Sequence, residues 1–130
     1  MSQSLSNSSI QDSLKYINVE TYRRSGDGVQ TPVWFVSSGG VYFILTRGDS
    51  GKVKRLHHNQ AMKVAPCKMD GEVIGDWFEA EGTFVESEES VKAIKGLFDE
   101  KYGPLSRITN LFSRLQRKKR VFIKVTPKKL

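Results

Sequence analysis

Short runs of alternating apolar and polar residues, separated by turns rich in Gly and Ser, make up most of this 130-residue chain. Such alternation is typical of β-strands with one buried face. The turns at 25–28 and 37–40 are short enough to join antiparallel neighbours. A mostly antiparallel sheet of this size most economically closes as a small barrel, so the sequence predicts a mainly β fold. Six strands are predicted, over residues 15–22, 29–36, 41–46, 61–67, 77–85 and 121–125.

Helical spacing replaces the alternation in three segments. A short helix over 51–59 follows the third strand, a helix over 88–102 follows the fifth, and a further helix over 105–115 precedes the last strand. The Gly-Pro pair at 103–104 ends the second helix. The predicted order is therefore three strands, a helix, two strands, two helices and a final strand.

The N-terminal residues differ in composition from the rest of the chain. Residues 1–11 are mostly Ser, Gln and Asn, and such a segment cannot offset its ordering entropy by burial. We therefore expect a flexible arm over 1–11 and a single domain over 12–130. A domain of this length buries roughly two-thirds of its unfolded surface and can fold without disulfides or metals.

The cysteine content and the hydropathy pattern bear on the cellular compartment. Cys67 is the single cysteine, so an internal disulfide is excluded and reducing conditions fit best. The N-terminus has no basic region followed by an apolar core, and no run of about 18 apolar residues occurs. We therefore expect neither secretion nor a membrane span, and a cytoplasmic protein.

The run 46–56 predicts a strand end, a tight turn and the start of a helix. Ser50 is a good N-cap, and Gly51 lets a ligand approach the backbone. The first N–H groups of a helix have no partner within it and favour anions. Cationic side chains surround this helix start, namely Lys52, Lys54 and Arg55. The run therefore predicts a phosphate site, although an ordinary capped helix with a solvated basic face has the same residues.

The chain is basic, with a formal net charge of +7 that lies largely in 52–55 and 114–129. An excess of this kind fits nucleic acid, an anionic surface or a phosphorylated ligand. The run 117–120, close to Phe122, resembles a nucleic-acid patch, but a charge run between a helix and a strand is usually a solvated connection. The aromatic residues of the predicted strands lie among few basic residues, which disfavours RNA as the partner.

Other candidate reactive residues have ordinary structural interpretations. His57 and His58 are adjacent on a helix, where side chains point roughly 100° apart and cannot chelate one ion well. They are expected on exposed surface, and no metal site is predicted. Cys67 lies on an apolar strand and is expected to be a small buried hydrophobe. The three glutamates in 86–89 open a helix, where negative charge is favoured.

Three segments occur in a specific order: Thr-Pro-Val-Trp-Phe at 31–35, the run 46–55, and Val-Ala-Pro-Cys at 64–67. Together they resemble the pyridoxamine phosphate oxidase-like split-barrel family, most closely its branch that depends on deazaflavin (coenzyme F-420). The likeness extends over residues 14–127. It implies a six-stranded split β-barrel that forms a homodimer and holds FMN or coenzyme F-420 in a cleft between the subunits.

The resemblance also implies roles for individual residues. Phosphate contacts are expected from Thr46, Ser50, the backbone at Gly51, Lys52, and Lys54 or Arg55. The ring system is expected to lie along the second strand, beside Thr31, Pro32, Val33 and Trp34. Where the family usually has Asn-Pro after the short helix, this chain has Asn-Gln at 59–60, which changes a turn and leaves the site intact.

The chemistry that the resemblance implies is hydride transfer to a small-molecule substrate, with coenzyme F-420 ahead of FMN. The cofactor carries such a reaction, so no acid–base triad is required and no catalytic side chain is predicted. Backbone N–H groups of the second strand would hydrogen-bond the ring, and Trp34 would stack on it or line the substrate pocket. The alternative is a non-enzymatic small barrel that binds FMN or nucleic acid.

Overall fold

Six antiparallel strands form a closed barrel in the computed structural model, which describes residues 10–103 and 120–128. The strands are β1 Tyr16–Tyr22, β2 Gly28–Ser38, β3 Val41–Arg47, β4 Ala61–Cys67, β5 Phe78–Phe84 and β6 Arg120–Pro127. Two helices are described, α1 Gly51–His58 and α2 Glu88–Tyr102. The order around the barrel is β1-β2-β3-β6-β5-β4. The predicted mainly β, six-stranded barrel is confirmed, and the helix predicted over 105–115 lies outside the described residues.

The inward-facing side chains of all six strands form one apolar core. Alternate residues of each strand point to the same side, which explains why Ile17, Ile44 and Ala80 are fully buried while their neighbours are less so. Leu56 of α1 also belongs to this core. Burial of these aliphatic side chains is the main contribution that holds the barrel together.

Ile10 belongs to the core as well. Its side chain is buried, and its N–H donates to the hydroxyl of Tyr42 at 3.0 Å. The sequence placed Ile10 in the flexible arm over 1–11, because an isolated apolar residue among polar ones carries no periodic signal. Ile10 therefore packs with the barrel core, and residues 1–9 lie outside the described part of the chain.

A second apolar cluster lies outside the barrel, where α2 packs on the outer face of β2, β3 and β6. Its buried members are Val36, Ile94, Phe98 and Phe122. Ser87 caps the helix by accepting from the N–H of Ser90. The helix ends at Gly103, whose φ of 93° is accessible to glycine at little cost.

The barrel is only partly paired between β2 and β3. β2 pairs with β1 over Gly28–Trp34 but with β3 only over Phe35–Ser38, while β3 pairs with β6 as far as Arg47. Because the backbone groups of a strand alternate between its two edges, half of those in Gly28–Trp34 have no strand partner on the β3 side. A gap results between β2 and β3, and α1 begins across it. No helix in 10–103 or 120–128 is long and apolar enough to cross a membrane.

Candidate anion-binding cleft

The gap between β2 and β3 forms a cleft of about 610 Å³. This volume falls within the range of roughly 300–1,000 Å³ typical of small-molecule sites. Residues from β2, the end of β3 and the start of α1 line it. Seven of the residues predicted to bind a cofactor are among them: Pro32, Val33, Trp34, Thr46, Ser50, Gly51 and Lys52.

The first turn of α1 presents unpaired donors to this cleft. Ser50 is the N-cap, and its side chain accepts from the N–H of Val53 at 3.3 Å, while its carbonyl accepts from the N–H of Lys54 at 3.3 Å. The N–H groups of Gly51 and Lys52 have no partner in the described part of the chain. Free N–H groups at a helix N-terminus carry partial positive charge and favour an anion.

Ser50 has a hydroxyl proton to offer. Thr46, which is buried, donates from Oγ1 to Ser50 Oγ at 3.2 Å. Ser50 Oγ thus accepts from both Thr46 and Val53, and its own O–H remains available as a donor. Thr46 therefore orients the hydroxyl of Ser50, and both residues line the cleft.

Lys52 is a cation that has no counter-ion among the described residues. The half-buried side chain makes no ion pair or hydrogen bond with any residue of 10–103 or 120–128. Burial, followed by the neighbouring charges of Arg55 and Arg47, lowers the pKa of Lys52. An anion in the cleft would offset both the desolvation and the repulsion. The donor set around α1 therefore fits a phosphate group.

Arg55 lies behind the first turn of α1 and does not line the cleft. Its Nε donates to Thr21 Oγ1 at 2.7 Å, and its guanidinium folds back over Gly51. A Cβ at Gly51 would lie 2.7 Å from Arg55 Nη1, so glycine makes room for this side chain as well as for a ligand. Lys54 is exposed on the helix and does not line the cleft either.

Thr31 also lies outside the lining of the cleft. Its Oγ1 is buried and has no hydrogen-bond partner in the described part of the chain. Of the predicted residues, the structure therefore brings seven together at the cleft and leaves Thr31, Lys54 and Arg55 outside its lining.

The cleft also has aromatic lining residues. The Trp34 ring stacks on Tyr102 with centroids 4.3 Å apart and planes 6° apart. Tyr16 lies directly opposite Trp34 in the pairing of β1 with β2 and also lines the cleft. The lining of the cleft therefore combines cationic and aromatic side chains.

Sequence reasoning missed four lining residues: Tyr16, Leu45, Arg47 and Arg120. Arg47 and Arg120 are directly opposite each other in the pairing of β3 with β6, and Arg47 forms an ion pair with Asp49 at 3.1 Å. Arg120 was expected in a solvated connection, because its position depends on a strand pairing between distant parts of the chain. Arg47 could have been predicted from the sequence, because it lies within the run 46–56 that predicts a phosphate site.

His57, His58 and Cys67, which the sequence analysis interpreted as structural residues, lie outside the cleft lining and are held by packing or hydrogen bonds. His57 stacks on Phe84 with centroids 4.4 Å apart, and His58 hydrogen-bonds Arg24. Cys67 is buried, and that burial raises the pKa of its thiol to about 11, so the thiolate is scarce at neutral pH. Within 10–103 and 120–128, no three His, Cys, Asp or Glu side chains are grouped to hold a metal ion.

The fold is shared with solved structures of known proteins. The heme storage protein HutZ from Vibrio cholerae matches with a TM-score of 0.70 and 19% identity, over 89% of this chain and 83% of that one. An F-420 reductase matches with a TM-score of 0.59 and 20% identity, over 90% of each chain. A candidate pyridoxamine 5'-phosphate oxidase from Listeria innocua matches with a TM-score of 0.57 and 15% identity, over 88% and 85%.

These similarities confirm the resemblance to pyridoxamine phosphate oxidase-like split barrels at the level of the fold. No protein-family model and no curated protein matches the sequence. Because one fold hosts many functions, the function of this chain has to be argued from its cleft.

Proposed function

We propose that this protein is an oxidoreductase that binds coenzyme F-420 or FMN in the cleft between β2 and β3 and transfers hydride to a small organic molecule. The observation that carries the proposal is that Lys52 and the N–H groups of Gly51 and Lys52, which have no partner among the described residues, line the same cleft as Trp34. Both coenzymes join a flat ring to a phosphate-bearing chain. The F-420 reductase among the similar structures supports our preference for coenzyme F-420 over FMN.

The phosphate would be held at the start of α1. Ser50 Oγ–H and the N–H groups of Gly51 and Lys52 would donate to its oxygens, and the Lys52 ammonium would neutralise its charge. Thr46 would orient Ser50. Arg55 would add positive charge from behind the helix, and Lys54 would act only through long-range attraction.

The ring would lie along the unpaired half of β2. N–H groups on the β3-side edge would hydrogen-bond the edge of the ring, except at Pro32, which has no N–H. Either coenzyme supplies a ring position that accepts and donates hydride. The chain itself orients the ring, excludes water and stabilises negative charge through backbone N–H groups. No catalytic side chain is proposed.

We also propose that the protein is a cytoplasmic homodimer. A cleft that is open along one edge of β2 leaves much of a large ring exposed, and a second subunit would cover it. The small-molecule substrate would then enter between the subunits, over the ring.

Heme is the competing ligand, because one similar structure is a heme storage protein. The usual protein ligands of heme iron are His, Cys, Met and Tyr side chains. Among the described residues that line the cleft, Tyr16 is the only one of these types. The phosphate-binding donors around α1 therefore favour a flavin or deazaflavin over heme.

Titration of the purified protein with coenzyme F-420, FMN and hemin tests the proposal. We expect Lys52→Ala to weaken coenzyme binding by about 10–100-fold, because a charge-assisted hydrogen bond contributes roughly 1.5–3 kcal/mol. Lys95→Ala is the matched control, since Lys95 is an exposed lysine on α2, remote from the cleft lining. Equal affinity of the wild type and Lys52→Ala would contradict the phosphate site.

The enzymatic part of the proposal needs a separate assay. We expect the reduced coenzyme to be reoxidised by conjugated organic acceptors only in the presence of the protein, followed by absorbance. Coenzyme binding without any turnover would favour a storage or sensing role. Binding of RNA that weakens steeply with salt, without coenzyme binding, would favour the nucleic-acid alternative.

A further inference from the structure

Tyr102, the last residue of α2, inserts its hydroxyl between β1 and β2. The hydroxyl accepts from the N–H of Phe35 at 3.0 Å. It lies 2.7 Å from the carbonyl oxygen of Lys15 and 2.8 Å from that of Phe35, and its single proton bonds one of them. The last pair of the β1–β2 ladder is Tyr16 with Trp34, so Tyr102 makes the hydrogen bonds that the next pair of residues would have made.

The same residue covers Trp34. The two rings are nearly parallel, with centroids 4.3 Å apart. On its own helix the Tyr102 ring also packs against Phe98, which is fully buried, at 5.6 Å. Tyr102 is thus fixed at both ends, through its hydroxyl to the barrel and through its ring to the second apolar cluster. Burial raises the pKa of Tyr102 to about 12, so the hydroxyl keeps its proton at neutral pH.

Lys101 strengthens this attachment. Its Nζ donates to the carbonyl of Phe35 at 3.0 Å and lies 3.6 Å from the centroid of the Phe35 ring. The end of α2 is therefore joined to β2 at the residue that directly follows Trp34.

We propose that Tyr102 is a positioning residue that holds Trp34 as the aromatic wall of the cleft, so that the free face of the indole takes the flat ring of the bound coenzyme. The ligand named here rests on the proposed function. An indole already ordered by Tyr102 loses less conformational freedom when a ligand binds, and the affinity is correspondingly higher. α2 contributes no residue to the lining of the cleft. Through Tyr102 it would nevertheless fix the position of the aromatic wall.

The test uses three variants in a Trp77→Phe background, in which Trp34 is the only tryptophan. Tyr102→Phe keeps the ring and removes the hydroxyl, and Tyr102→Leu removes both. Val91→Ala is the control, because Val91 packs in the same apolar cluster but lies near the other end of α2. The ring that stacks on Trp34 belongs to Tyr102 and is unchanged in this variant. Fluorescence anisotropy and acrylamide quenching report the mobility and exposure of Trp34 in the ligand-free protein.

We expect Trp34 to become more mobile and more easily quenched in the order wild type, Tyr102→Phe, Tyr102→Leu. Coenzyme affinity should fall by about threefold in Tyr102→Phe, which keeps the ring. It should fall by about tenfold in Tyr102→Leu, the size expected for one lost aromatic pair. Val91→Ala should lower the melting temperature while leaving both the Trp34 fluorescence and the affinity unchanged.

Three results would overturn the proposal. Trp34 could be equally ordered in Tyr102→Leu and in the wild type, Val91→Ala could loosen it as much as Tyr102→Leu does, or Trp34 could loosen without loss of affinity. If the wild type binds neither coenzyme, the proposed function fails, and the fluorescence of the ligand-free variants still decides whether Tyr102 holds Trp34.

Discussion

Thr31 carries a polar atom to which the barrel gives no partner. Its Oγ1 is buried and lacks a hydrogen bond within the described residues. A buried polar group without a partner costs about 1–3 kcal/mol. We therefore expect Thr31→Val, which keeps the shape of the side chain, to raise the free energy of unfolding of the ligand-free protein by about 1 kcal/mol in urea titrations.

The matched control for Thr31→Val is Thr126→Val, because Thr126 is an exposed threonine on β6. A lower free energy of unfolding for Thr31→Val would contradict the prediction, since the hydroxyl would then have a partner in solution. The resemblance places Thr31 beside the coenzyme ring. Weaker coenzyme binding by the more stable variant would indicate that the hydroxyl is kept for the ligand.

Lys101 makes stability depend on pH. Burial lowers its pKa from 10.5 to about 8, an effect that Asp12 opposes and Lys15 reinforces. Between about pH 8 and 10.5 the unfolded chain therefore holds a proton that the folded chain has released. Because unfolding then takes up a proton, the free energy of unfolding rises with pH across this window.

We expect the free energy of unfolding of the wild type to rise relative to that of Lys101→Met between pH 7 and pH 9.5. The comparison is needed because the raised pKa of Cys67 lowers stability above about pH 9 in both proteins and cancels in the difference. Urea titrations at a series of pH values measure it. A difference that stays constant with pH would show that Lys101 is protonated in the folded protein throughout this range.

At the scale of elements, the position of α1 depends on a glycine in β5. A Cβ at Gly82 would lie 2.8 Å from Met62 Sδ and 3.3 Å from a methyl group of Leu56. The N–H of Gly82 also donates to the carbonyl of Gln60, just after α1, at 2.8 Å. α1 can therefore pack closely on the barrel only because this position has no side chain.

We expect Gly82→Ala to lower the free energy of unfolding by about 1–3 kcal/mol, because the added methyl group overpacks the core beneath Leu56. The displaced helix should also bind the coenzyme less tightly, since Lys52 lies on it. Gly96→Ala is the control, because a Cβ at Gly96 of α2 meets nothing within 4 Å. Equal stability of Gly82→Ala and the wild type would contradict this account of how α1 is placed.

The elements could be predicted from the sequence because their signals are local. The start of α1 follows from the cap at Ser50, and the end of α2 follows from Gly103. The lining of the cleft was predicted only in part, because some of its residues are brought there by contacts between distant segments. Arg120 reaches the cleft through the pairing of β6 with β3, and Tyr102 reaches Trp34 through the packing of α2. Neither contact can be predicted from the residues next to it in the sequence.

At the scale of the whole molecule, the incomplete pairing between β2 and β3 predicts the oligomeric state. The proposed ring site runs along an edge of β2 that β3 leaves uncovered. We expect light scattering to give the mass of a dimer, twice 14.7 kDa, for the protein with coenzyme bound. A monomer that binds the coenzyme tightly would contradict a site shared between subunits.

Because of the incomplete pairing of β2, the stability of the folded protein would also depend on the concentration of the coenzyme. Gly28–Trp34 holds one edge of its backbone ready for hydrogen bonds that the free protein does not make with β3. A bound coenzyme would take the place of the missing stretch of strand and complete the ladder. Such a ligand stabilises the folded state in proportion to the logarithm of its concentration. In a cell poor in the coenzyme, the abundance of this protein would then fall together with its activity, because the empty form unfolds and is degraded more readily.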